Sequence, residues 1–150
     1  MVSRATVSDF VAQKTLALAG ISRNGQGFGN AVRRELTAKG YTVLLVHPEA
    51  DVIEGQPCAR SLRELAPKVG GVILVTPPAA TSTLVREAAE AGIRRVWMQQ
   101  GAESDAAIRF CQDAGLAVVH HHCILMFAEP VAWFHRLHRG ILRIIGRLPK

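Results

Sequence analysis

The sequence predicts an α/β protein with a Rossmann-like, doubly wound fold: a mainly parallel five-stranded sheet with helices on both faces, plus a C-terminal amphipathic helix. Three observations carry this reading. Short runs rich in Val, Ile and Leu alternate with amphipathic segments along the chain, the pattern of strands covered on both faces by helices. A glycine opens three of those runs, in "KGYTVLLV", "AGIRRVWM" and "AGLAVVHH". A fourth apolar run leads into the glycine-rich stretch "LALAGISRNGQGFGN", from Leu16 to Asn30.

The predicted strands are residues 15–19, 42–46, 71–75, 95–99 and 117–120. Gly40, Gly92 and Gly115 stand where a helix ends in a left-handed residue, which glycine adopts without a Cβ penalty. Among the helices, "VSDFVAQ" reads as a short lead-in capped by Ser8. Ser61 and Glu64 have capping-box spacing ahead of residues 62–65. Pro77 and Pro78 end the third strand and precede a helix over about 80–91, consistent with proline at a helix start. Ser104 caps a helix over 105–114, with Asp105 in its first turn interacting favourably with the helix dipole.

Two segments follow from this reading, a domain over 1–126 and an extension over 127–150. In the extension Trp133, Leu137, Ile141, Ile144 and Leu148 form one helical face, and Arg136, Arg139, Arg143 and Arg147 another. Docking on the domain, on a second copy or on a partner protein is the leading expectation for this helix, with peripheral contact to an anionic membrane as the alternative. The net charge of +6 is concentrated there: five bases and one acid from Phe127 onward give +4, leaving +2 for the body. A basic pI that describes mainly one tail disfavours nucleic-acid binding. No apolar run is long enough to span a bilayer, the first ten residues lack the apolar core of a secretory signal, and three widely spaced cysteines suit a reducing compartment. A cytoplasmic protein is expected.

Ligands of doubly wound sheets bind at the carboxyl ends of the strands. The loop after the first strand reads G-x-S-x-x-G from Gly20, with Ser22 where the dinucleotide fingerprint has its second glycine. Glycines permit close backbone approach, and amide N–H groups at a helix start attract phosphate. Ser22 adds a hydroxyl and Arg23 a permanent charge, while Asn30 can cap the next helix or bond a ligand. An NAD site places an acid at the end of the second strand. Here that end is Val46-His47-Pro48, with Glu49 displaced beyond the proline. A simple NAD(P) dehydrogenase is disfavoured.

Gly20-Ile21-Ser22-Arg23, Val46-His47-Pro48, Pro77-Pro78 and Trp97-Met98-Gln99-Gln100-Gly101 together resemble the CoA-binding domain family, single-domain proteins similar to the N-terminal domain of the succinyl-CoA synthetase alpha subunit. The resemblance covers roughly residues 10–123. It implies that Gly20, Ile21, Ser22, Arg23, Gly27, Gly29 and Asn30 belong to a cradle for the phosphates of CoA or an acyl-CoA. It further implies that His47, Thr76, Pro77 and Pro78 line the adenosine or pantetheine path, with Gln99 and Gln100 nearby. His47 departs from the family's usual Asn, and His121 stands where an Asp is common before Cys123.

The run His120 to Cys123 also has metal-binding residue types, but too few for a zinc set, and no metal site is assigned. Cys123 is a candidate reactive thiol near the pantetheine end. No catalytic residue is assigned. The leading function is a non-catalytic CoA or acyl-CoA module acting as carrier, sensor or partner subunit. The alternatives are a small NAD(P)-binding oxidoreductase or redox sensor, and a membrane-surface adaptor working through the C-terminal helix.

Overall fold

In the computed structural model, residues 1–129 are described. The elements run α1 (Arg4–Val11), β1 (Thr15–Ala19), α2 (Phe28–Ala38), β2 (Thr42–Val46), β3 (Val52–Ile53), β4 (Gln56–Ala59), α3 (Leu62–Leu65), β5 (Gly71–Leu74), α4 (Pro78–Ala91), β6 (Arg95–Gln99), α5 (Asp105–Asp113) and β7 (Ala117–His122). The strands form one sheet in the order β3-β4-β2-β1-β5-β6-β7. All neighbours are parallel except β3 and β4.

The α/β class and the five long strands agree with the sequence reading, but the sheet has seven strands. The two additional ones form a hairpin whose turn is Glu54-Gly55, both with positive φ (50° and 76°). That is the backbone a two-residue type I′ turn requires. Glutamate is an unusual occupant of the left-handed region, and each arm is short, so no alternation or Asn-Gly signal marks the hairpin. The first helix also differs: it starts at Arg4 and is capped by Ser3, whose hydroxyl accepts from the Thr6 amide, so Ser8 lies inside it. Helix α4 begins at Pro78, because proline's fixed φ suits the first helical position. The capping box of Ser61 and Glu64 forms as expected. The predicted C-terminal helix lies beyond Glu129, outside the described residues.

Successive strand residues serve opposite layers, as a pleated strand requires. Leu16, Leu18, Val43, Leu45, Ile73, Trp97 and Val119 join Phe10, Val32 and Leu36 in one core. Ala17, Ala19, Val46, Val72, Leu74, Val96, Met98 and Val118 join Leu62, Val85, Ala88, Ala107 and Cys111 in the other. Helices α1 and α2 therefore cover one face, and α3, α4 and α5 the other. Trp97 anchors the first layer. Its ring packs on Phe10 and Phe127, with centroids 5.3 and 5.9 Å away, and its Nε1–H donates to the His122 carbonyl at 3.0 Å. The chain leaves β1 toward β2 on one side and returns on the other as β5, which places the topological switch beside β1.

Candidate functional site

At that switch the loops after β1 and β5 touch. Gly20 has φ +98°, and a Cβ there would lie 2.1 Å from the Val75 carbonyl oxygen. A Cβ on Gly29 would lie 2.4 Å from the Gly20 carbonyl oxygen. Neither position has room for a side chain, because backbone meets backbone on both sides of the turn. The tight packing lets the β1–α2 loop fold back over its own strand end.

Asn30 fixes that fold. Its side chain is fully buried; its Oδ1 accepts from the Ser22 amide at 2.8 Å and its Nδ2 donates to the Ser22 carbonyl at 2.9 Å. Both amide atoms are thus engaged in shaping the loop. The expectation that Asn30 caps the next helix is corrected: Gly27 occupies the N-cap, with no side-chain hydrogen bond to the cap. Ser22 donates to Asn24 at 2.6 Å, and Asn24 accepts the Gln26 amide at 2.9 Å.

The hairpin turn braces the outer side of the loop. Arg33 gives Glu54 two hydrogen bonds, at 3.0 and 2.7 Å; Arg34 gives it a third at 2.7 Å and also reaches the Gly25 carbonyl at 3.2 Å. The Arg33 hydrogen bonds hold the Glu54 carboxyl below its ordinary value of 4.5, with the charges of Arg33 and Arg34 adding to the effect. Sequence reasoning missed Glu54, Arg33 and Arg34, since the contacts span 20 and 21 residues and depend on the unforeseen hairpin. It also missed Phe28, a large apolar side chain exposed at the first position of α2.

At the end of β2, His47 Nδ1 accepts the amides of Glu49 and Ala50 at 3.0 and 2.9 Å. An Asx turn uses a side-chain oxygen in the same way, so the imidazole supplies the acceptor that an asparagine would. Glu49 then turns toward Arg23 of the first loop, and the two form an ion pair exposed to solvent. At the end of β5, the Thr76 hydroxyl bonds the buried Thr81 hydroxyl at 2.7 Å, while Pro77 and Pro78 are exposed at the start of α4. This helix also begins without a side-chain cap. Two helix N-termini with uncapped amide groups therefore border the switch, each a favourable place for anionic oxygen.

Two other predicted site residues are buried. Ile21 belongs to the first core, and Gln99 accepts the Ile124 amide at 3.2 Å inside the protein. Their side chains help hold the frame of the edge. Gln100 is exposed in the following turn. The structure thus brings Ser22, Arg23, Gly27, His47, Thr76, Pro77, Pro78 and Gln100 to the carboxyl edge, on frames built by Gly20, Ile21, Gly29, Asn30 and Gln99.

The histidine run lies at the outer edge of the sheet. His120 and His121 meet through their Nδ1 atoms at 2.6 Å, and His121 Nε2 lies 3.4 Å from Glu103. Burial pushes the His120 and His122 imidazoles below the ordinary value. Among the described residues, no group of three or more His, Cys, Asp or Glu is arranged to hold a metal. Cys123 is half-buried against the first core, and burial pushes the Cys111 thiol up to about 11. Among the described residues, no helix is long and apolar enough to cross a membrane.

Comparison with known proteins matches residues 14–129 to the family described as "CoA binding domain". A conserved hypothetical protein from Pyrococcus furiosus is 40% identical, with a TM-score of 0.71 over 74% of this chain and 96% of that one. A hypothetical protein from Pyrococcus horikoshii OT3 is 26% identical, with a TM-score of 0.76 over 87% of this chain and 92% of that one. The fold also recurs in a dinucleotide-forming acetyl-coenzyme A synthetase from Ca. Korarchaeum cryptofilum, solved with phosphate and ADP. That match has 20% identity and a TM-score of 0.62, over 71% of this chain and 25% of that one. No curated protein matches the chain. The family match, extending from the residue before β1 to the last described residue, takes in every strand and the whole carboxyl edge: this chain belongs to the CoA-binding domain family.

Proposed function

We propose that this protein binds CoA or an acyl-CoA at the crevice between the ends of β1, β2 and β5, as a non-catalytic carrier, sensor or partner module. Family membership supports the ligand class. The observation that carries the site is the loop held by Asn30: its backbone lies against the ends of β1 and β5 with no space for side chains at Gly20 or Gly29. Such a loop offers amide groups to the phosphates of the nucleotide, with Arg23 supplying charge. The polar side chains at the rim are engaged in shaping it: Ser22 with Asn24, His47 with two amides, Thr76 with Thr81. This arrangement suits a binding surface. The extension over 127–150 would serve contact with a second copy or a partner, and the setting would be cytoplasmic.

Titrating CoA into 15N-labelled protein tests the location. The amides of Ser22–Gly29, Glu49–Ala50 and Ala79–Ala80 should shift together and saturate with one binding constant. Shifts confined to the open groove of about 420 Å³ lined by Leu44, Cys58, Leu65 and Lys68 would place the ligand elsewhere and defeat the assignment.

A further inference from the structure

The ion pair of Arg23 and Glu49 joins two loops 26 residues apart in sequence, at the β1 and β2 ends. These ends are adjacent, because Ala19 and Val46 are register partners. In doubly wound sheets this is where the ribose of a bound nucleotide lies: an acid there takes free ribose hydroxyls, and a nearby arginine takes a phosphate carried on the ribose. This chain has both groups, and each holds the other.

The two halves of the pair differ in how they are supported. The Glu49 backbone is fixed, since its amide donates to His47 Nδ1, and Arg60 secures the same loop by donating to the Pro48 carbonyl at 3.0 Å and to Asp51 at 2.6 Å. The side chains are free to turn: Arg23 is 59% exposed and Glu49 71% exposed. An exposed carboxylate–guanidinium pair is weak and readily exchanged. A phosphate monoester carries nearly two charges and three acceptor oxygens, so it competes well for a guanidinium.

We infer that the Arg23–Glu49 pair is an exchangeable latch that selects nucleotides bearing a phosphate monoester on the ribose. The inference rests on the CoA reading above and deepens it. CoA carries such a group at its 3′ position, and 3′-dephospho-CoA lacks it. On binding, the phosphate takes Arg23 and Glu49 swings into water. With a free ribose, Glu49 keeps Arg23 and the ligand gains nothing there.

Calorimetric titration of CoA and 3′-dephospho-CoA into the wild type, Glu49→Gln and Arg23→Gln tests this, with unliganded melting curves confirming that each variant is folded. The wild type should prefer CoA. Glu49→Gln should tighten CoA by about two- to fivefold, the reach of an exposed ion pair, and widen the preference. Arg23→Gln should weaken CoA roughly tenfold, the scale of a lost charge-assisted contact, and bring the two affinities together. CoA binding with the same preference in all three proteins overturns the latch and leaves the CoA reading standing. Failure of the wild type to bind either coenzyme overturns both.

Discussion

Asn30 and Ser22 are eight residues apart, and the two hydrogen bonds between them give the β1–α2 loop its path. Asn30→Ala would leave the Ser22 amide and carbonyl without their buried partners. The expected loss is about 2–3 kcal/mol of stability, the cost of stranded polar groups. Denaturant unfolding at unchanged slope would measure it, and CoA affinity should fall in parallel as the loop loosens. The importance of this residue was visible in sequence, because an asparagine follows the last glycine of the motif. Its role was not visible. Whether an amide faces outward to a ligand or inward to its own loop depends on the chain's path in space, which residue spacing does not encode. The same limit explains Ile21 and Gln99, whose motif positions were recognisable while their burial was not. His47 shows the reverse: it stands where the resemblance leads one to expect asparagine, and its imidazole supplies a turn acceptor of the kind an asparagine side chain gives.

Among the elements, the long strands were legible because each is a nearly continuous apolar run between helices, buried on both faces. The β3–β4 hairpin was not legible. Two-residue pairing, a left-handed glutamate and Pro57 in one arm give neither propensity nor periodicity. Yet this hairpin delivers Glu54 to Arg33 and Arg34, and through Arg34 to the loop at Gly25. Because the native Glu54 carboxyl lies below 4.5, its contribution to stability is complete above that value. It fades as pH falls through the lower native pKa, where the folded protein also takes up the proton. Glu54→Gln should therefore lower the melting temperature at neutral pH, and the difference from wild type should close on acidification. A difference that persists unchanged at pH 3 would show that charge at Glu54 is not what braces the loop.

For the whole molecule, strand order decides where a ligand can sit. The strand order reverses at β1, and the loops after β1, β2 and β5 meet there. Alternating strands and helices revealed the class of fold. Locating the crevice needed the general rule for such sheets, and the contact of Gly20 with Val75 placed the two loops together. Thermal melting with each coenzyme shows whether this crevice takes CoA in preference to a nicotinamide dinucleotide. A ligand that binds only the native state stabilises it by about 2.7 kcal/mol at one hundred times its dissociation constant, which raises the melting temperature by several degrees. CoA should produce that shift, while NADH and NADPH at the same concentration leave the transition in place. A shift with NADH and none with CoA would rule out a CoA site in this crevice.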